Sequence, residues 1–282
     1  MPTLDALKTS CPVTWCPGCG NFGIWAAFKN AAVRSGWNKE NTAIMAGIGC
    51  HGHILNYINL PFFEGLHGRA IPLAEGMKMV RPKSNVFVFT GDGDCLAEGG
   101  NHFIHACRRN HNITILLHDN AIYGLTTGQT SPLSPKGLKT KSTPGGNLDE
   151  PFSPLALAIA AGATFVARAY TGDIAKLTEM IEKANAHQGC AVVDILQPCI
   201  TFNKICTHQF FQANVYHLDE KYDPTNKIKA FEKSMEWALP AGGQGEKKIP
   251  LGIFYEVSKP TPEPQSQTDP LGNLEELIKK YS

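Results

Sequence analysis

Acidic and amide side chains follow two predicted strands, at the point where each strand ends. The sequence GDGD (91–94) follows one apolar run, and DN (119–120) follows the next. Glycine lets the backbone approach a phosphate closely, and carboxylate and amide oxygens are ligands suited to Mg²⁺. Asp92, Asn120 and the carbonyl of Ile122 therefore predict a magnesium site shared with diphosphate oxygens. The alternative is two ordinary strand-end turns, because Asp-Gly and Asp-Asn are common turn dipeptides.

Four of the nine cysteines form a second candidate group. Cys16 and Cys19 lie in the sequence CPGC, Cys50 lies in IGCH, and Cys199 lies in QPC. Three of the four stand beside Pro or Gly in predicted turns, where thiolates from distant parts of a chain can converge. Four thiolates suit either structural zinc or a [4Fe–4S] cluster, and their spacing leaves both open. Cys107 and Cys190 are expected to be buried apolar residues.

Alternating strand and helix patterns must position these groups. Short apolar runs predict strands, and amphipathic segments between them predict helices. The predicted strands are 42–47, 85–90, 113–118, 163–167 and 191–195, and the predicted helices are 24–36, 97–110, 154–161 and 173–186. Strands joined by helices indicate βαβ units. The fold class is therefore α/β, with a doubly wound, mostly parallel sheet.

The rest of the chain predicts less regular structure. Residues 124–151 are rich in Gly, Pro, Ser and Thr, which is typical of a functional loop. After Cys199 the alternation stops, and only a helical segment at 226–238 stands out. We predict a domain at 1–199 and an irregular C-terminal extension at 200–282 that wraps the domain or a partner.

Composition excludes several classes of protein. The 282 residues are 43% hydrophobic and 18% charged, which is enough to form a core and too apolar for disorder. The net charge is +1, with 26 Lys and Arg against 25 Asp and Glu, so neither nucleic acid nor an acidic membrane is an expected partner. No apolar run predicts a membrane span or a signal peptide. We expect a soluble, cytoplasmic protein whose cysteines are reduced.

The run GDGDCLAEGGNH through HDNAIYGLTTGQTSP resembles the diphosphate-binding motif of thiamine-diphosphate enzymes. It is most similar to the β subunit of two-subunit 2-oxoacid:ferredoxin oxidoreductases, over roughly residues 10–210. The resemblance implies a fold of the diphosphate-binding-half type, with Asp92, Asn120 and the Ile122 carbonyl on Mg²⁺. CPGC, IGC and the late PC match the four ligands of that family's [4Fe–4S] cluster.

The resemblance also implies cofactors and an activity. The cofactors are thiamine diphosphate, Mg²⁺ and one [4Fe–4S] cluster. The residues implied to contact thiamine diphosphate are Ile48, Gly49, Cys50, His51, Gly91, Gly93, Asp94, Gly124 and Leu125. The implied reaction is oxidative decarboxylation of a 2-oxoacid with coenzyme A, giving acyl-CoA and CO₂, with electrons passing through the cluster to ferredoxin.

Three residues are candidates for contact with the substrate. In the resembling family, the positions that match His53 and Leu125 face the substrate side chain. A histidine there can donate a hydrogen bond to a distal carboxylate, which favours 2-oxoglutarate, although His53 could instead bond backbone. His67 is a candidate acid or base. Lys78 is expected to be a solvated helix residue.

This chain has a single thiamine-type half. The resemblance therefore implies that a partner α subunit supplies the glutamate that contacts the aminopyrimidine, with an α₂β₂ assembly expected. Pyruvate or a branched-chain 2-oxoacid remains an alternative substrate. A non-catalytic protein stabilised by zinc remains the alternative from another class.

Overall fold

A central β-sheet carries helices on both faces. The computed structural model describes residues 2–237 and 249–264. The strands are β1 (Thr42–Ala46), β2 (Phe62–Glu64), β3 (Asn85–Gly91), β4 (Thr114–Asp119), β5 (Phe165–Tyr170), β6 (Ala191–Leu196), β7 (Val215–His217) and β8 (Ile249–Glu256). The helices are α1 (Asn21–Ser35), α2 (Ala70–Val80), α3 (Gly100–Arg109), α4 (Pro154–Ala161), α5 (Ile174–Ala186), α6 (His208–Asn214) and α7 (Lys227–Ser234).

The sheet is mostly parallel, with the order β2-β1-β3-β4-β6-β5-β8-β7. Strands β1 to β6 pair in parallel, whereas β8 pairs antiparallel with β5 across a register shift between Val166 and Ala167. The chain places β2 on one side of β1 and then crosses over to place β3 on the other side. This change of direction is typical of a doubly wound sheet. The predicted fold class is confirmed.

Each central strand is buried on both faces, because successive side chains point to opposite sides of the sheet. Phe87 and Phe89 pack on one side against Phe28 of α1, with ring centroids 4.9 and 5.0 Å apart. Val86 and Val88 point to the opposite side, into the cluster formed with α2, α3 and α4. The strands therefore read as continuous apolar runs, and the helices shield both faces.

Residues 200–264 contain more regular structure than the sequence predicts. They include α6, β7, α7 and β8, and β8 extends the sheet by pairing with β5. The predicted helical segment 226–238 corresponds to α7, although residue 238 lies outside the described residues, as do 239–248 and 265–282 of the predicted extension. The domain boundary at residue 199 stays a prediction.

The prediction that Lys78 is solvated was wrong. Its side chain is buried, and its ammonium donates a 2.7 Å hydrogen bond to the Ser84 carbonyl. Burial lowers the pKa of Lys78. The lysine therefore closes the turn between α2 and β3. In the part of the chain that the structure describes, no helix is both long and apolar enough to cross a membrane.

Candidate functional site

The first cavity of interest lies beyond the carboxyl ends of β1, β3 and β4, where open parallel sheets bind ligands. It offers about 500 Å³ of empty volume, part of which is open to solvent. Its walls are formed at or after the ends of β1, β2, β3, β4 and β6: Ile48, Gly49, Cys50, His51, His67, Gly91, Asp92, Gly93, Asp94, His118, Asn120, Ile122, Tyr123, Gly124, Leu125, Thr126 and Gln197. The structure thus brings the GDGD motif and Asn120 of the DN motif to one cavity.

Asp92 supplies a buried carboxylate to this cavity. Burial raises its pKa to about 7, although a hydrogen bond from the Ser131 hydroxyl and nearby backbone N–H groups oppose the shift. Asn120 and Ile122 line the same cavity, and the Asn120 side-chain oxygen accepts a 3.0 Å bond from the Ile122 N–H. A buried carboxylate beside an amide and a carbonyl oxygen is a donor set that suits Mg²⁺.

Backbone strain shapes the loop after β4. Ala121 and Thr127 adopt left-handed conformations, with φ of 54° and 76°, which non-glycine residues seldom do. The Tyr123 N–H donates to the Gln129 carbonyl at 2.9 Å, and the Gly128 N–H donates to the Tyr123 carbonyl at 2.8 Å. Strained backbone of this kind persists where the surrounding structure holds it, often at functional sites.

Asp94 binds two separate loops to the end of β3. Its carboxylate accepts hydrogen bonds from the Thr90 hydroxyl at 2.6 Å, the Gly68 N–H at 2.7 Å and the Ile48 N–H at 3.1 Å. Burial opposes ionisation, but His51, Thr90 and Gly68 outweigh it and lower the pKa of Asp94 to about 2. Asp94 is therefore an anion that fixes the cavity walls.

The His51 imidazole lies between two glycines. A Cβ at Gly49 would stand 2.7 Å from His51 Cε1, and a Cβ at Gly91 would stand 2.8 Å from His51 Nδ1. The Gly91 N–H donates to His51 Nε2 at 3.2 Å. Both positions need glycine because the ring occupies the space that a side chain would take.

His67 and Tyr123 lie together at the side of the cavity. His67 Nδ1 is 2.9 Å from Asp94 Oδ1, and the His67 ring meets the Tyr123 ring at a centroid distance of 6.1 Å. Tyr123 packs against Gly93, where a Cβ would approach its ring to 2.3 Å. Burial, followed by the charge of Glu98, raises the pKa of Tyr123 to about 12, so its hydroxyl stays protonated.

The four candidate cysteines line a second cavity of about 790 Å³. Its lining residues are Thr14, Trp15, Cys16, Cys19, Cys50, His53, Asn120, Gly124, Leu125, Thr127, Gln197, Cys199, Ile200, Thr201 and Phe202. The Cys19 N–H donates to the Cys16 carbonyl at 2.9 Å, and the Gly20 N–H donates to the Pro198 carbonyl at 3.1 Å. These bonds bring the CPGC turn beside the segment that carries Cys199.

The thiol set suits a cationic centre. Burial and the neighbouring thiols of Cys19, Cys199 and Cys16 raise the pKa of Cys50 to about 12, so a bound cation is needed to make it a thiolate. All nine cysteines are free. Across residues 2–237 and 249–264, no three His, Cys, Asp or Glu side chains are arranged to hold a single metal ion.

Gly124 stands where the two cavities meet. A Cβ there would lie 3.6 Å from Cys199 Sγ, 3.7 Å from Cys50 Sγ and 3.8 Å from Asn120 Nδ2. Five residues line both cavities: Cys50, Asn120, Gly124, Leu125 and Gln197. The sulfur-lined cavity therefore adjoins the one that holds Asp92.

The candidate substrate residues divide between the cavities. His53 lines the sulfur-lined cavity and not the first one, whereas Leu125 lines both. Tyr123, Gln197 and His118 also lie in the wall of the first cavity and are not among the predicted site residues. The sequence could have indicated His118 and Gln197 as site residues, because each lies at the carboxyl end of a buried strand.

Two family models and several known proteins match this chain. Residues 47–195 match the family described as thiamine pyrophosphate enzyme, C-terminal TPP binding domain. Residues 199–268 match the family described as the C terminal of the pyruvate ferredoxin oxidoreductase beta subunit. The 2-oxoacid:ferredoxin oxidoreductase 2, subunit beta, of Aeropyrum pernix is 44% identical over 251 residues, which is 88% of this chain and 81% of that protein.

This chain belongs to the β subunits of 2-oxoacid:ferredoxin oxidoreductases. The 2-oxoglutarate oxidoreductase subunit KorB of Mycobacterium tuberculosis is a further relative of this β subunit, 50% identical over 68% of this chain and 51% of that protein. A solved 2-oxoglutarate:ferredoxin oxidoreductase from Magnetococcus marinus, with 2-oxoglutarate, coenzyme A and succinyl-CoA bound, is 35% identical with a TM-score of 0.86. That match covers 99% of this β subunit and 91% of that chain. The family match supports thiamine diphosphate as the cofactor.

Proposed function

We propose that this protein, as a β subunit, performs oxidative decarboxylation of 2-oxoglutarate with coenzyme A, and that the electrons leave through a [4Fe–4S] cluster to a ferredoxin. The observation that carries the proposal is the shared wall of the two cavities. Gly124 has the sulfurs of Cys50 and Cys199 on the side where its Cβ would be, and it also lines the cavity of Asp92. A redox centre held by those sulfurs would adjoin a cofactor in the first cavity.

In this proposal the first cavity holds thiamine diphosphate through Mg²⁺. Asp92, Asn120 and the Ile122 carbonyl would hold the metal, and Gly91 and Gly93 would leave room for the diphosphate. Thiamine diphosphate supplies an electron sink for the carbanion left when CO₂ departs. His51, packed between Gly49 and Gly91, fixes the wall on the β1 side. Asp94 contributes by holding that wall and the His67 turn in place.

The second cavity would hold the cluster through Cys16, Cys19, Cys50 and Cys199. A zinc ion would need the four sulfurs about 3.8 Å apart, from its 2.3 Å bonds in tetrahedral geometry, whereas a cubane cluster spaces them more widely. Relatives named for a ferredoxin acceptor support the cluster over zinc, because zinc has no redox chemistry. A cluster held there would supply one-electron transfer.

The relatives of this chain support 2-oxoglutarate as the substrate. They include proteins named 2-oxoglutarate oxidoreductase and 2-oxoglutarate synthase, and the solved structure contains 2-oxoglutarate. In the proposal, His53 and Leu125 contact the substrate side chain, and His53 donates a hydrogen bond to its distal carboxylate. His67 would act as acid or base. Its Nδ1 lies 2.9 Å from Asp94 Oδ1 but has no hydrogen-bond partner among the described residues.

The proposed enzyme also needs a partner α subunit. Relatives of this chain are named as one subunit of an oxidoreductase, and the α subunit would supply the glutamate that contacts the aminopyrimidine. We propose an α₂β₂ assembly in the cytoplasm, where cysteines without disulfide bonds stay reduced. A ferredoxin would accept the electrons from the cluster.

The test is an assay of the protein purified anaerobically with its α subunit. Coenzyme A-dependent reduction of a low-potential acceptor is measured with 2-oxoglutarate, pyruvate and a branched-chain 2-oxoacid. The proposal expects turnover of 2-oxoglutarate, and turnover of pyruvate alone contradicts the substrate assignment. His53→Ala should reduce kcat/KM for 2-oxoglutarate about tenfold or more, the loss of a hydrogen bond to a charged group. His217→Ala, outside both cavities, is the matched control.

A further inference from the structure

The side chain of Gln197 is fixed in the wall between the two cavities. Gln197 follows the last residue of β6, and its N–H donates to the Asp119 carbonyl at 2.7 Å, continuing the β4–β6 ladder. It is 1% exposed and lines both cavities. A Cβ at Gly20 would stand 2.6 Å from Gln197 Cγ, so the turn after Cys19 must pass close to this side chain. Its position is therefore set by the sheet and by the cysteine segment together.

The two ends of the Gln197 amide have different partners. Nε2 donates to Cys19 Sγ at 3.7 Å. Oε1 is 3.2 Å from His118 Nδ1, which is also 2.9 Å from Asn21 Oδ1. In this arrangement Nδ1 of His118 carries the proton and donates to the amide oxygens of Gln197 and Asn21, and the NH₂ group of Gln197 faces the sulfur.

The His118 ring connects the Gln197 amide to the first cavity. His118 is buried and lines that cavity. With its proton on Nδ1, the ring keeps an unshared electron pair on Nε2, for which the described residues provide no hydrogen-bond partner. The Gln197 amide therefore contacts Cys19 of the sulfur-lined cavity at one end and His118 of the first cavity at the other.

We propose that Gln197 is a positioning residue that raises the reduction potential of the cluster by donating a hydrogen bond to the Cys19 thiolate. This inference rests on the proposed function, because it requires a cluster on the four cysteines. Reduction adds negative charge to the cluster and its sulfurs. A donor aimed at one sulfur therefore stabilises the reduced form more than the oxidised form, and hydrogen bonds to the sulfurs are known to set such potentials.

The test is an EPR-monitored redox titration of the protein purified with its α subunit. Gln197→Met keeps the length of the side chain and removes the donor. It should lower the ratio of reduced to oxidised cluster at a fixed potential about tenfold, because the lost bond is stronger to the reduced cluster; a tenfold change is about 59 mV for one electron. Gln188 accepts a hydrogen bond from Asn112 at the amino ends of β4 and β6, so Gln188→Met should leave the ratio unchanged.

A second measurement uses the unaltered protein and does not depend on the stability of a variant. With ¹⁵N in the glutamine side chains, pulsed EPR of the reduced cluster should detect a ¹⁵N nucleus coupled to it. A cluster with an unchanged titration in Gln197→Met, or with no ¹⁵N coupling, overturns the inference and leaves the proposed function standing. Protein isolated anaerobically with no iron overturns both.

Discussion

The carboxylate of Asp94 accepts a 2.7 Å hydrogen bond from the Gly68 N–H, joining the strand-end turn of β3 to a loop 26 positions earlier in the chain. The same carboxylate accepts from Ile48 after β1. Three segments of the first cavity therefore meet on one side chain. Asp94 therefore serves the site by holding its walls together, whereas Asp92 is the carboxylate assigned to the metal.

Replacing Asp94 tests this role. Asp94→Asn presents one oxygen where two now accept, so it should lower the free energy of unfolding by about 2 kcal/mol, the cost of leaving buried donors unpaired. Urea unfolding of the purified chain measures the loss, and amide hydrogen exchange should rise at Ile48 and Gly68. Asp5→Asn, on an exposed ion pair, is the control. Unchanged exchange at both amides would rule out the proposed role.

A methyl group at Gly91 tests the packing of His51. Gly91→Ala places a Cβ 2.8 Å from His51 Nδ1, so the ring must move into the cavity. We expect thiamine diphosphate with Mg²⁺ to bind at least tenfold more weakly by calorimetry. Gly76→Ala on α2 meets no atom within 4 Å and should bind normally while gaining about 0.5–1 kcal/mol in stability. Equal binding by the two variants would contradict the packing argument.

A buried ion pair joins β5 and β6. Arg168 Nε donates to Asp194 Oδ2 at 2.8 Å, and both side chains are almost fully buried. Arg168→Leu leaves a buried carboxyl without its cation and should cost about 3–5 kcal/mol in chemical unfolding. Arg34→Leu breaks an exposed pair with Glu182 and should cost no more than about 1 kcal/mol. Similar losses of unfolding free energy in the two variants would show that the buried pair stabilises the fold no more than the exposed one.

The strands were predictable because they are buried on both faces and therefore read as apolar runs. Their order was not, since nothing in the sequence states that β6 lies between β4 and β5. Strand β8 was missed because Pro250 and Gly252 interrupt its pattern, and both residue types are uncommon inside strands. Lys78 was misjudged because its acceptor, the Ser84 carbonyl, is a backbone group that sequence does not reveal.

The candidate site was predictable where motifs carry it. The GDGD sequence, Asn120 and the four cysteines stand beside turns; the structure brings GDGD and Asn120 to one cavity and the cysteines to the other. Gln197, His118 and Tyr123 were missed because their roles come from packing across the sheet. Residue spacing also could not predict that His53 lines the sulfur-lined cavity, because its position depends on the short helical turn Gly52–Asn56.

The segment after β8 should give stability a dependence on pH. Glu263 lies 2.9 Å from His111 Nδ1 and accepts from the Asn112 N–H at 3.0 Å. Burial opposes its ionisation, but these bonds outweigh burial and lower the pKa of Glu263. Because the pKa is lower folded than unfolded, the stabilisation is present above about pH 4 and is lost as pH falls through the lower, folded value.

Glu263→Gln measures that contribution. The variant should be less stable than the unaltered chain by about 1–2 kcal/mol near neutral pH, and the difference should shrink steadily below about pH 4. Urea unfolding across that range records both curves. Glu150→Gln, on the exposed pair with Lys136, should follow the unaltered chain throughout. A difference that is constant with pH would argue against ionisation of Glu263 as its source.

The decisive measurement is metal and sulfide analysis of anaerobically purified protein. We expect about four iron atoms and four acid-labile sulfides per chain, with absorbance typical of a [4Fe–4S] cluster. Serine at Cys16, Cys19, Cys50 or Cys199 should remove most of the iron, whereas serine at the exposed Cys11 should leave it in place. One zinc per chain with no iron, or full iron in all four serine variants, would contradict the account.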